Sequence, residues 1–120
     1  MRNFRKLLVW QRAHNLVLEI YRATSSFPSN ERFSLIAQMR RSATSIPSKI
    51  AEGAGHGGGP DYARFLRIAA GSVSELDYQL LLSRDLGYVS EGQHDDLSEE
   101  VVAIRRMLAS LIRRVVESSG

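Results

Sequence analysis

The sequence predicts an all-α fold, an antiparallel up-down-up-down four-helix bundle in a single domain over residues 1–120. Along four segments of helical length, apolar residues recur at steps of three and four, and no segment sustains the alternation that predicts a strand. Capping residues, glycines and prolines separate these segments by short loops, which favours antiparallel neighbours. A chain of 120 residues is large enough to bury one core without metals or disulfides.

The first two helices are predicted in the first half of the chain. Helix 1 is expected at about residues 7–25, before the Phe-Pro pair at residues 27–28 ends it. Helix 2 is expected to begin after one of two N-capping residues, Ser29 or Asn30, and to end at Gly53. Because Pro47 lacks an N–H group, we expect helix 2 to be broken or bent there.

Helices 3 and 4 are predicted from their end signals and a long apolar stripe. Helix 3 begins at Pro60, a residue type favoured in the first turn, and runs to a C-cap at Gly87. Ser90 and Gln93 have the spacing of a capping box at the start of helix 4. The stripe of helix 4 is a heptad pattern made of Leu97, Val101, Ile104, Leu108, Leu111 and Val115.

Short segments over roughly the first three quarters of the chain resemble a bacterial protein family. They are Leu8-Val9-Trp10-Gln11, Ile20-Tyr21, Phe27-Pro28, Gln38-Met39-Arg40-Arg41, Ser45-Ile46-Pro47-Ser48, Ile50-Ala51-Glu52-Gly53, Phe65-Leu66-Arg67-Ile68-Ala69 and Gly71-Ser72. The family is that of the four-helix-bundle proteins first noticed as reading frames inside intervening sequences of 23S ribosomal RNA genes. The accessory variability proteins of diversity-generating retroelements are relatives. The resemblance implies a ring-shaped homopentamer, and the retroelement relatives suggest a reverse transcriptase as a protein partner.

Helix 3 has more apolar surface than one bundle can bury. Around an inward stripe centred on Leu76, its C-terminal half is apolar on nearly all sides, and small residues at 69–72 would let another helix approach closely. We therefore expect self-association through the outer side of helix 3. Deep burial of a long helix within one bundle is the alternative. The predicted interface residues are Ala70, Ser74, Tyr78, Leu81 and Leu82.

Charge is distributed unevenly along the chain. Residues 1–60 hold nine basic and three acidic side chains, whereas residues 61–120 hold seven basic and ten acidic ones. Fourteen of the sixteen basic residues are arginine, whose planar guanidinium suits phosphate, although a GC-rich genome also favours arginine. In a ring, repeated arginines would form a basic belt for RNA or DNA. The predicted nucleic-acid-binding residues are Arg5, Arg12, Arg40, Arg41, Arg64 and Arg67.

The arginines of helix 4 are expected to have a different role. Arg113 and Glu117 have the i,i+4 spacing of an ion pair, and cations suit the C-terminal end of a helix. We therefore expect helix 4 to present a solvated face.

No group of residues predicts catalysis, a cofactor or a metal site. Residues 53–58 match Gly-x-Gly-x-x-Gly, but they follow a helix instead of a strand, so we expect a connecting loop. Glu91 and His94 have the Glu-x-x-His spacing of di-iron bundles, but such a site needs two of these motifs. We therefore expect a protein that is not an enzyme.

The sequence has no cysteine, and its N-terminal apolar run is interrupted at residues 11–12. No stretch reaches the length of a membrane span. We expect a cytoplasmic protein without a membrane partner. Its expected function is that of a non-catalytic, homo-oligomeric scaffold that binds RNA or DNA. The alternative is a protein-interaction adaptor that binds an acidic protein and has no direct nucleic-acid role.

Overall fold

The computed structural model describes residues 3–56 and 58–119, which form four long helices. Two 3-10 turns, Phe4–Lys6 and Ser29–Glu31, precede the first and second helices. Within the described residues there is no strand, so the predicted all-α four-helix bundle is confirmed. The helices are α1 (Leu8–Thr24), α2 (Leu35–Gly55), α3 (Gly59–Asp85) and α4 (Glu91–Ser119).

Each helix packs against the next along the chain, and α1 meets α4 to close the bundle. The contacts of α3 with α2 and with α4 are the most extensive, whereas close approaches of the backbone are fewest between α1 and α4. The molecule measures 47 × 23 × 20 Å. No helix in the described part of the chain combines the length and the apolar character that crossing a bilayer requires. The largest fully buried side chains come from all four helices and include Leu16, Ile20, Met39, Ile46, Leu66, Leu76, Ile104 and Leu108.

The predicted start of helix 2 is wrong by about one turn. Residues 29–31 form a separate 3-10 turn, and the non-helical backbone of Ser34 (φ −121°, ψ −100°) delays α2 until Leu35. Glu31 holds this segment, because its carboxylate accepts hydrogen bonds from the hydroxyls of Ser34 and Tyr88. These two bonds, that of Ser34 first, lower the pKa of the Glu31 carboxyl.

The turn between α3 and α4 forms as predicted. Gly87 has a left-handed backbone (φ +79°), and the N–H of Tyr88 donates to the carbonyl of Ser83 at 2.9 Å, which closes the C-terminus of α3. Ser90 and Gln93 make both bonds of the capping box, at 2.9 and 3.1 Å. These local signals therefore set the direction change between the two longest helices.

Pro47 does not break helix 2. The helix is continuous through this residue, whose ring is buried and lines a groove with Trp10 and Phe4. Packing of the ring offsets one missing backbone hydrogen bond. The Trp10 indole is only half-buried and stacks on the imidazole of His14 at 5.3 Å.

Helix α2 continues two residues past the predicted end at Gly53. This glycine does not end the helix; it lies where α2 packs against α3. A Cβ there would lie 2.9 Å from the Cβ of Phe65 and from the Cδ1 of Tyr62, and 3.3 Å from the carbonyl oxygen of Tyr62. The absence of a side chain lets the end of α2 approach the start of α3 closely. Gly57, part of the predicted connecting loop, lies outside the described residues.

Replacing Gly53 by alanine should lower the free energy of unfolding by about 1–3 kcal/mol, because the first turns of α3 must move away. Gly55→Ala is the matched control in the same helix, since a Cβ at Gly55 meets no atom within 4 Å. Urea unfolding followed by far-UV circular dichroism measures both variants. Equal stabilities would show that the two helices do not depend on this close approach.

Candidate functional site

The outer face of α3, which consists of Arg67, Gly71, Ser74, Tyr78 and Leu81, is exposed along its length. Tyr78 is 62% exposed and Leu81 39% exposed, so both keep large apolar surfaces in water. A Cβ at Gly71 would meet no atom within 4 Å, which leaves room for another chain. This face therefore combines exposed apolar groups with small residues.

Of the five residues predicted for the oligomer interface, three are exposed and two are half-buried. Ser74, Tyr78 and Leu81 lie on the outer face of α3. Ala70 and Leu82 are instead half-buried and pack against the core of their own chain. The helix turns these two side chains toward neighbouring helices, so they border the exposed face.

Four of the six arginines predicted to bind nucleic acid are exposed: Arg5, Arg41, Arg64 and Arg67. Arg64 lies 3.8 Å from Asp61, and its guanidinium carbon lies 4.5 Å from the ring centre of Phe65. An exposed pair of this kind contributes little and leaves the guanidinium available to an anion. Arg67 has no hydrogen bond or ion pair to any described residue.

Arg12 is not available to a phosphate, because it forms a two-fold ion pair with α4. Its Nε and Nη2 each donate to one carboxylate oxygen of Glu100 at 2.8 Å. The hydrogen bonds and then the charge of Glu100 raise the pKa of the Arg12 guanidinium. This predicted binding residue is a link between α1 and α4.

Arg40 also points into its own chain. Its Nε donates to the Thr24 hydroxyl at 3.0 Å, and its Nη2 donates to the carbonyl of Tyr21 at 3.3 Å. The guanidinium carbon lies 4.4 Å from the centre of the Tyr21 ring. Arg40 thus satisfies a carbonyl and places a positive charge at the C-terminal end of α1.

The sequence predicted a solvated face for α4, but the arginines of this helix differ in exposure and in their partners. Arg105 donates to Asp77 of α3 at 2.8 Å and is half-buried. Arg113 and Arg114 are exposed, as expected. In the described part of the chain the predicted pair between Arg113 and Glu117 does not form, so no carboxylate offsets the positive charge of Arg113.

A polar cleft between α2 and α3 was not predicted. It has a volume of about 340 Å³. Inside it, the hydroxyl of Ser72 donates to that of Ser45 at 2.9 Å. Three further polar features of the cleft have no partner among the residues that the structure describes: the buried Oε1 of Gln79, and the charges of Arg41 and Glu75, which do not pair with each other. The lining residues are Gln38, Arg41, Ser42, Ser45, Ser72, Glu75 and Gln79.

The cleft went unpredicted because α2 also carries the apolar stripe that dominates its pattern. Polar residues at positions 38, 42 and 45 read as an ordinary solvated flank until α3 is placed beside them. Four lining residues, Gln38, Arg41, Ser45 and Ser72, belong to the segments that carry the family resemblance. That these four residues lie in the resembling segments was the signal in the sequence that could have indicated the cleft.

The side chains of the polar cleft offer hydrogen-bonding groups and charges. None of the seven residues that line the polar cleft is histidine, and the hydroxyl of Ser72 bonds to that of Ser45 and to a backbone carbonyl. Over residues 3–56 and 58–119 no cluster of three or more histidine, cysteine or acidic residues could hold a metal ion.

Arg40→Ala should lower the free energy of unfolding by about 1.5–3 kcal/mol, because the charged hydrogen bonds at the end of α1 are lost. Arg41→Ala is the matched control, since it removes the same charge from an exposed neighbour and should change stability by less than about 0.5 kcal/mol. Urea unfolding distinguishes the two. Similar values for both variants would contradict the assigned role of Arg40.

Comparison with known proteins gives a family and similar solved structures. Residues 5–110 match the family model described as 23S rRNA-intervening sequence protein. A crystal structure of a protein with unknown function from the S23 ribosomal protein family of Bacteroides thetaiotaomicron VPI-5482 is similar, with a TM-score of 0.79 and 24% identity over 88% of this chain and 98% of that chain. Comparison with curated proteins gives no match. Because the family model spans most of its length, the chain belongs to the family of 23S rRNA-intervening sequence proteins.

Proposed function

We propose that the protein is a non-catalytic scaffold of the cytoplasm that assembles as a homopentamer and binds RNA or DNA through exposed arginines. The observation that carries this proposal is the exposed side of α3, which has arginines without strong partners in its first turns and exposed apolar groups farther along. The apolar groups supply the assembly contact, and the arginines supply contacts to phosphate.

Self-association is supported by the composition of this face. Tyr78 and Leu81 are flanked by Gly71 and Ser74, so a second helix can approach the backbone of α3 and cover both apolar side chains. A ring needs two different surfaces on each subunit. The groove between α1 and α2 is a second apolar surface, with a volume of about 390 Å³ and with Trp10 on its wall. Five copies are what the family resemblance implies.

Binding of nucleic acid is supported by the position of Arg64 and Arg67. They are exposed and lie on the first turns of α3, next to the proposed contact between subunits. In a ring each arginine recurs once per subunit, so weak phosphate contacts add along one strand. Arg5 and Arg41 extend the exposed basic surface, whereas Arg12 and Arg40 do not contribute to it.

Light scattering on the purified chain should give a mass about five times the 13.4 kDa of one chain. Leu81→Glu should release single chains that keep their helical signal, because an unpaired charge in an apolar contact is strongly unfavourable. Val116→Glu is the control on α4, where Val116 is 44% exposed against 39% for Leu81. A wild-type mass of one chain at micromolar concentration would overturn the assembly.

Binding of a fluorescent oligo(dT) at several salt concentrations tests the phosphate contacts. The double change Arg64→Ala and Arg67→Ala should weaken binding and reduce the salt slope by about 0.7 per lost contact on a single strand. The double change Arg113→Ala and Arg114→Ala removes the same charge from α4 and should have a smaller effect. No binding by the wild type at low salt would overturn the nucleic-acid role and favour an adaptor for an acidic protein.

A further inference from the structure

The polar cleft between α2 and α3 contains a buried group whose hydrogen bond is missing. Gln79 is only 7% exposed, and its Oε1 is buried without a partner among the described residues. Buried polar atoms of native proteins are nearly always paired, because leaving one unpaired is unfavourable. That oxygen is closed off from the cleft, whereas Nε2 of the same amide is neither buried nor bonded to a described residue and offers a donor to a polar ligand.

The charges of the cleft support the same interpretation. Arg41 and Glu75 line it from opposite helices, yet no ion pair joins them, so space for a ligand lies between a donor and an acceptor. Ser42, also buried, has a hydroxyl without a hydrogen bond to any described residue. A suitable ligand has acceptors for Arg41 on one edge and donors for Glu75 on another.

We propose that this cleft binds one unpaired guanine of a single-stranded RNA or DNA, an inference that rests on the proposed function. Guanine presents acceptors at O6 and N7, which match the forked donors of Arg41. On its next edge N1–H and N2–H₂ are donors, which match the carboxylate of Glu75. The Nε2 of Gln79, the end of this amide that is not buried, offers a further donor toward the acceptors of the base.

The size and position of the cleft fit this ligand. Its volume of about 340 Å³ lies in the range of pockets that hold small molecules. Glu75 follows Arg67 by eight residues on α3, about 12 Å along the helix axis, so a strand bound at Arg67 can place a nearby base in the cleft.

No aromatic ring lines the cleft, so hydrogen bonds, and not stacking, decide which base binds. Adenine carries an amino group where guanine has O6, and this donor would face the Arg41 guanidinium. A site that leaves such groups unpaired rejects the wrong ligand strongly. The cleft should therefore discriminate between bases, unlike the phosphate contacts.

Fluorescence anisotropy with two labelled oligonucleotides tests the proposal on the full chain. Both are oligo(dT) with one central substitution, dG in one and dA in the other, so their phosphates are identical. The dG oligonucleotide should bind about tenfold more tightly. Arg41→Ala, Glu75→Ala and the similarly sized Gln79→Met should each remove this preference. Circular dichroism checks that each variant keeps its helices.

Arg106→Ala and Glu99→Ala are matched controls, because they remove the same charges from exposed positions of α4. Both should keep the preference for dG. Equal binding of the two oligonucleotides with a normal salt slope would overturn the guanine site and leave the proposed function standing. No binding of either would overturn both. A change of assembly mass in Arg41→Ala or Glu75→Ala would assign the cleft to a neighbouring copy of the chain and overturn the guanine site.

Discussion

The packing of α3 against both α2 and α4 is the interaction on which the rest of the structure depends. At its start α3 meets α2 so closely that Gly53 has no room for a side chain. Farther along, the hydroxyl of Ser83 donates to the sulfur of Met39 in α2, and Asp77 accepts from Arg105 of α4. With both flanks occupied, the outer face of α3 is left for contacts beyond the chain.

The same packing explains the exposed surface and the polar cleft together. A helix of 27 residues with neighbours on two sides keeps a strip of solvent-facing positions along its whole length. Where the strip is apolar, as at Tyr78 and Leu81, it suits a second copy of the chain. Where α3 faces α2 around Ser72 and Gln79, polar side chains of both helices line a cleft.

Periodicity and end signals were sufficient to predict the four helices from the sequence. The capping box of Ser90 and Gln93 and the left-handed Gly87 are local features, so residues close in sequence determine them. The start of α2 was missed because Glu31 is held by Tyr88, which lies 57 residues away. A contact between residues so far apart cannot be predicted from the sequence pattern around Glu31.

The arginines show why the site was harder to predict than the fold. Arg40 and Arg41 are adjacent in sequence, yet Arg40 donates to a carbonyl at the end of α1 and Arg41 lines the polar cleft. Arg12 pairs with a glutamate 88 residues away. Which cations remain available thus depends on how the helices face one another, and a single sequence does not specify partners at that distance.

Native-state amide hydrogen exchange tests the central position of α3 most directly. If α3 is the hub, amides in the middle of α3 should exchange only through global unfolding and should be among the slowest in the protein. Amides of α1, the shortest of the four helices, should exchange through a smaller opening of lower free energy, because its contact with α4 is the smallest between two of these helices that meet. Protection in α1 equal to or greater than that in α3 would contradict this hierarchy.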